Sequence, residues 1–529
     1  MGGGPGADVG GILASCGSGA TTLWCVFDTG GQASAVTDWL KLMSDRRIRS
    51  STDSVIRGNA FCCLPQWHLP APLMSVPPQD ERAMSRSLTP LWSVALLASA
   101  LLAACNDAPT AVTPTTLSPS ASILPDLVDE GRKARLGRAM FQDENLSLER
   151  NQSCESCHTP AWGWTSPDLV ANLGGGAVEG SVAGRAGARK PMSAAYASQA
   201  PIFECDPNWR GFGPRCKGGN FWDGRATGER LGSPVAEQAQ APFTNPVEMA
   251  LRDPACVVYR VSEAEYSGRY VAEFGPAIKQ IRFPKGMDSL CEQEGPLVDL
   301  PADVRAQVDL EFDNIAIAIG DMFEDSRFVN TFTSKYDAYR AGLATLTEEE
   351  TLGMELWVGA GRCNFCHGDP FNDDPFLATD YEFDNIGSPK NPDNPIYATD
   401  PGFVDLGLGG FTGVATDNGQ FRVPTARNAD LAPYPGAPKA FMHNGALKSL
   451  EEVVHFYNTA RVMPDCATLA DAEFGVNCWP APEVADNRVP PFLVGGLGLT
   501  PEQEAAIVAF TRALTDGYLP SRPGSELVR

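Results

Sequence analysis

The sequence predicts a mostly α-helical chain of two domains with long irregular loops. Three observations predict it: helix-start signals recur along the chain, strand-like alternation is sparse, and 52 Gly with 43 Pro favour irregular backbone. At 529 residues, 43% hydrophobic and 20% charged, the chain suits two or more globular domains. That composition excludes disorder for most of its length, and no apolar run reaches the ~20 residues of a transmembrane helix. The formal net charge of −24 belongs to residues 105–529, since residues 1–104 hold seven Lys/Arg and seven Asp/Glu. Nucleic acid, which needs a basic surface, is thereby excluded as a partner, and a small basic protein is favoured.

Taken in order, residues 1–83 show no clear periodicity and read as a spurious N-terminal extension, because a good start follows at Met84. Residues 84–104 read as a signal peptide, with Arg86 as its positive start and Leu91 to Leu102 as its short apolar core. It ends in Leu102-Ala103-Ala104-Cys105, which resembles the lipobox of bacterial lipoproteins; the resemblance implies lipidation of Cys105. The alternative is an ordinary cleaved signal with Cys105 incidental. Either way the chain is expected on the periplasmic side of a bacterial membrane, lipid-anchored or soluble, with no other membrane contact. Residues 105–125 then form a Pro/Thr/Ser tether.

Eleven of the 15 cysteines lie from Cys105 onward. Besides Cys105, four sit in Cys154-Glu155-Ser156-Cys157-His158 and Cys363-Asn364-Phe365-Cys366-His367. Two thiols three apart can add to the vinyl groups of haem, and the adjacent His reaches the iron. At this composition about 0.004 such motifs are expected by chance. Zinc would want further ligands at matching spacing, and a dithiol would not need the His. Two covalently bound c-type haems are therefore expected, with His158 and His367 as iron ligands. The remaining six cysteines suggest three disulfides. Chain proximity favours Cys205–Cys216, Cys256–Cys291 and Cys466–Cys478, although fifteen pairings are possible.

The motifs stand 209 residues apart, which suits one haem in each of two cytochrome c-like domains, residues 126–340 and 341–520, followed by a tail at 521–529. Thr347 and Glu350 have capping-box spacing, so a helix starts there and runs toward the second motif. Thr500-Pro501-Glu502-Gln503 opens another, through about Leu514. Ser449 and Glu452 make a third box; after it Leu450, Val453, Val454 and Tyr457 share one helical face, with His455 on another. Tyr457 on that face reads equally as a core aromatic.

Only five His exist, and once His158, His367 and the leader's His68 are set aside, His443 and His455 remain, both in the second half. The first haem thus has no His of its own half to fill its sixth position. Met192, Met249, Met287 and Met322 could supply sulfur, but none stands in a context that compels it. An open iron position binds small molecules, so the first haem is the expected reaction centre.

From about Leu127 to Leu514 the chain resembles the bacterial di-haem cytochrome c peroxidase family, most closely its MauG branch. The resemblance is carried by Leu136-Gly137-Arg138 with Phe141, Leu146-Ser147, Phe221-Trp222-Asp223-Gly224-Arg225, Gln238, Pro242, Asn245-Pro246, Glu248-Met249, Leu346-Thr347, Arg422 to Asn428 and His443-Asn444-Gly445. It implies that Glu248, with Gln238 upstream, is the acid/base carboxylate that moves a proton between the peroxide oxygens. Asn245-Pro246-Val247-Glu248 also reads as a helix start, with Glu248 a capping residue, but Gln238 at the family's spacing favours the catalytic role. The resemblance also implies that Trp222 relays electrons between the haems, where a packed indole is the plain alternative. Tyr457 falls where most of the family places Met and the MauG branch Tyr, which makes it the second ligand of the second haem, with Met442 a rival. An anionic oxygen ligand lowers the reduction potential. The family's His that blocks the first haem has no counterpart, so the diferric protein is expected to react with peroxide without prior reduction.

By the same resemblance the partners are hydrogen peroxide and a small electron-donor protein (a c-type cytochrome or a cupredoxin) or a protein substrate. The interdomain calcium ion of the family is left open, because its Arg-Asn-x-Pro segment becomes Arg189-Lys190-Pro191-Met192-Ser193 here. The loop Ala429 to Lys439 is longer than usual, and the cysteine-bearing insert between Pro201 and Asn220 has no assignable role. MauG-like oxidation of a protein side chain, a di-haem oxygenase and a non-catalytic electron carrier stand as alternatives.

Overall fold

The computed structural model describes residues 14–19, 22–27, 131–209 and 214–520. The signal segment, Cys105, the tether and the tail therefore lie outside the described residues. Of residues 1–83, two strands are described, β1 (Ala14–Gly19) and β2 (Thr22–Phe27), paired antiparallel. By contact density the chain divides into two compact units, Met1–Val112 and Thr113–Arg529.

The second unit is mostly helical. Its principal helices are α1 (Arg132–Phe141), α2 (Pro234–Thr244), α3 (Pro254–Glu263), α4 (Ala302–Glu324), α5 (Glu348–Val358), α6 (Leu450–Thr459) and α7 (Pro501–Ala513). Strands are confined among the described residues of this unit to two short antiparallel pairs, β3 (Glu204–Asp206) with β4 (Arg215–Lys217) and β5 (Phe383–Asp384) with β6 (Phe421–Arg422).

The helix starts follow the capping chemistry. Thr347 with Glu350, and Thr500 with Gln503, each close a reciprocal box at the heads of α5 and α7. At α6 only half of the expected box forms. Ser449 accepts from the Glu452 N–H, but the Glu452 carboxylate turns back one residue further and takes the Lys448 N–H at 2.6 Å.

Buried apolar residues form several clusters, of which those around the principal helices make two sets. The first surrounds α4, the only described helix of more than six turns, which packs on α1, α2 and α3. Leu136, Met140, Val257, Val261, Ile315 and Ile319 are almost wholly buried there, with the Cys256–Cys291 disulfide among them. α1 approaches α4 through Gly137, where a Cβ would stand 1.8 Å from the Ala318 carbonyl oxygen. The second set joins α5, α6 and α7 through Met354, Trp357, Val454, Ile507 and Phe510. Here Gly353 makes the close approach, a Cβ falling 1.9 Å from the Ala506 carbonyl. The three disulfides that chain proximity suggested, Cys205–Cys216, Cys256–Cys291 and Cys466–Cys478, all form. No helix among the described residues is long and apolar enough to cross a membrane.

Candidate active site

Each Cys-x-x-Cys-His motif opens on its own cavity. The first motif forms a one-turn helix, Cys154–Cys157, headed by a Ser153/Ser156 capping box that fixes both thiols on one turn. Its cavity is lined by Cys154, Cys157 and His158 together with Trp222, Arg225, Gln238, Glu248, Met192 and Met249. The second is lined by Cys363, Cys366 and His367 with Trp222, Trp357, Tyr457, Met442, His443 and Asp384. Trp222 borders both.

The donor chemistry fits covalent haem. The four motif cysteines are free thiols, whereas Cys205, Cys216, Cys256, Cys291, Cys466 and Cys478 are disulfide-bonded. In both histidines Nδ1 lies on a backbone carbonyl, His158 on Trp164 at 3.1 Å and His367 on Ala378 at 2.9 Å. That contact fixes the ring and leaves Nε2 as the iron-binding nitrogen. Burial pushes both imidazoles below their ordinary proton affinity, toward the neutral form a metal needs. Trp357 stands edge-on to His367, with ring centroids 5.7 Å apart.

Glu248 is not on a helix. α2 ends at Thr244, and Asn245 to Ala250 turn back on it: the Met249 N–H reaches the Pro242 carbonyl and the Leu251 N–H that of Phe243. The helix-capping alternative for Glu248 therefore does not occur. Burial raises the affinity of its carboxyl for a proton, while Arg225 and a hydrogen bond from Asn245 pull the other way. Arg225 is itself held on Asp223 at 2.7 Å.

Among the methionines, Met287 and Met322 are packed in the apolar core and line neither cavity, so they leave the set of sulfur candidates. Met192 lines the first cavity, but its sulfur accepts from Arg422 Nη2 at 2.8 Å. His158 is the only histidine lining that cavity. In the second, Leu450, Val453, Val454 and Tyr457 all face inward from α6, and burial raises the Tyr457 phenol's proton affinity. His455 lies elsewhere, on Glu504 at 3.1 Å, and Met442 also lines the cavity.

Sequence reasoning missed the polar framework between the cavities. The Trp222 indole donates to the Lys190 carbonyl at 2.9 Å, and the Lys190 N–H to the His443 carbonyl at 2.8 Å. His443, 3% exposed, stacks on Phe421 with centroids 3.6 Å apart. Arg189 bridges Asp405 and Asp223. Lys190, in the place where the family has asparagine, is half-buried, and the loss of water around its ammonium lowers its pKa to about 8. Among the described residues no three His, Cys, Asp or Glu are grouped to hold a metal ion, and this segment offers two cations instead. A calcium ion takes oxygen ligands, which these two side chains do not supply. The signal for this framework was present only as unassigned residues within matched segments.

This arrangement, two helical halves each carrying a haem-attachment motif beside its own cavity, defines a di-haem protein of the c type. A family profile described as di-haem cytochrome c peroxidase matches residues 131–345. The chain is 31% identical over 391 residues to the methylamine utilization protein MauG of Paracoccus denitrificans, covering 72% of this chain and 88% of that one. It is 25% identical over 375 residues to the cytochrome c551 peroxidase of Nitrosomonas europaea, covering 71% and 84%. The crystal structure of the diheme peroxidase BthA from Burkholderia thailandensis superposes with a TM-score of 0.55 at 25% identity, covering 73% of this chain and 86% of that one. The protein belongs to the di-haem cytochrome c peroxidase/MauG family. It is an oxidoreductase of the cytochrome-c peroxidase type acting on peroxide, and membership implies two c-type haems.

Proposed function

We propose that the protein reduces hydrogen peroxide at the haem of the first motif, with electrons passed through the haem of the second. The balanced reaction takes up two electrons and two protons per peroxide and yields two waters. Haem, when bound, supplies one-electron chemistry and a coordination position for peroxide. The observation that carries the reading is the asymmetry of the cavities. Around His158 there is no second histidine and no tyrosine; around His367 stand both Tyr457 and His443.

In this reading residues 126–340 and 341–520 are the two haem domains. Glu248 takes the proton from one peroxide oxygen and returns it to the other, so that water leaves in place of hydroxide. Gln238 holds the peroxide by hydrogen bonding. Tyr457 would hold the iron of the second haem, and its anionic oxygen would favour the oxidised forms. Trp222 links the cavities as the shared redox-active side chain. Electrons come from a small donor, a c-type cytochrome or a cupredoxin, on the periplasmic side of the membrane, where Cys105 is the lipid anchor. A second reading, oxidation of a side chain on a protein substrate, is favoured by the 31% identity to MauG together with the tyrosine on α6.

The test is rapid-mixing absorbance with EPR on the diferric holoprotein and one equivalent of peroxide. Reaction without prior reduction supports the reading, and reaction only after one haem is reduced overturns the open-site part of it. Steady-state turnover with a reduced cytochrome c separates the two readings, because an enzyme that draws its electrons from a protein side chain does not depend on that donor.

A further inference from the structure

The insert between Pro201 and Asn220 is built as a stapled hairpin. β3 and β4 pair antiparallel, and the Cys205–Cys216 disulfide crosses directly between them. The hairpin is fastened to the second cavity's wall by main-chain contacts: Lys217 bridges Glu382, and the Gly218 N–H donates to the Tyr381 carbonyl at 2.9 Å. On this frame stands Arg215. Its guanidinium pairs with Glu382 through Nε and with Asp384 through Nη2, the latter at 3.0 Å. Both carboxylates are mostly buried, with side chains 11% and 5% exposed. The other oxygen of Asp384 lies 3.1 Å from Sγ of Cys366, the second thiol of the second motif.

We infer that Arg215, held by the stapled hairpin, is a positioning residue that sets the reduction potential of the haem attached at Cys363 and Cys366. The inference rests on the reading of that motif as a haem site. Ferric haem carries one more positive charge than ferrous haem, so buried carboxylates beside the attachment point favour the oxidised form. Arg215 cancels part of that field, and in a poorly solvated site the cancellation is strong. The insert thereby raises the second haem's potential. Removing the arginine leaves two uncompensated carboxylates and drives the potential down.

The test is an optical redox titration of the holoprotein at one fixed pH for all variants. Arg215→Gln is expected to shift the second haem's equilibrium at least tenfold toward the oxidised form, about 59 mV for one electron. The His158-linked haem should move much less, Arg215→Lys should recover most of the shift, and adding Asp384→Asn to Arg215→Gln should return the potential toward wild type. If Arg215→Gln fails to mature, Cys205→Ser/Cys216→Ser, which frees the hairpin, should lower the potential in the same direction. An unmoved second haem in whichever of these variants carries both haems overturns the inference, as does an equal drop at both. Haem content is read separately: fewer than two haems in the wild-type chain refutes the haem-site reading and this inference with it.

Discussion

At Glu248 two pulls act on one carboxyl. Burial raises its proton affinity, and Arg225 with Asn245 lowers it, which keeps the group able to take up and return a proton. Glu248→Gln keeps the size and removes the titration. It is expected to slow the peroxide reaction ~10²–10⁴-fold with haem content unchanged, read by rapid-mixing absorbance. A rate within a few fold of wild type would assign the carboxyl to structure. At Tyr457 the expected outcome is electronic. Tyr457→Phe should raise the potential of the second haem and alter its EPR signal, while Met442→Leu leaves both in place. The face that carries Tyr457 was legible in the i, i+3, i+4, i+7 spacing, because one helix decides it. The turn that carries Glu248 was not, because Asn-Pro-Val-Glu spells a helix start, and only the return of residues 249–251 onto the end of α2 prevents one.

Element-scale features test the packing. Gly353 lets α5 lie against the α7 backbone, so Gly353→Ala must push the two apart. The expected cost is about 1–3 kcal/mol by denaturant unfolding, with an exposed-site control such as Gly342→Ala excluded because its φ of +71° brings strain of its own. Lys439 ties the long loop to the segment after the first motif, its ammonium donating to the Leu431 carbonyl at 2.7 Å and the Trp162 carbonyl at 3.1 Å. Burial lowers its pKa from 10.5 to about 7. Between those values the unfolded chain binds a proton that the folded chain does not, so this group's contribution to stability falls as pH drops from 10.5 to about 7. The gain in Tm of Lys439→Met over wild type should therefore grow over the same interval and level off below it. Helix caps and nearest-neighbour disulfides could be read from the sequence because they are local. Arg215 and its carboxylates could not, since 167 residues separate Arg215 from Glu382.

For the whole molecule the charge of −24 bears on encounter with a partner. With a basic cytochrome as donor, kcat/KM is expected to fall steeply as ionic strength passes about 0.1 M, where the Debye length shrinks to ~10 Å. A flat salt profile would point to a neutral donor or to a protein substrate held by apolar contact. The two-haem organisation was legible because covalent attachment demands a fixed five-residue spacing. Contacts between the halves carry no such signature.

One of those contacts constrains how the halves can change. Gly176, shortly after the first motif, and Gly445, after His443, meet backbone to backbone: a Cβ on Gly176 would lie 2.8 Å from the Gly445 Cα, and one on Gly445 2.6 Å from the Gly176 Cα. Both have positive φ, 76° and 71°. A larger residue at either position cannot be rescued by shrinking its neighbour, which has nothing left to remove. The pair therefore acts as a lock: a side chain at either position can be admitted only by moving the backbone that carries the other.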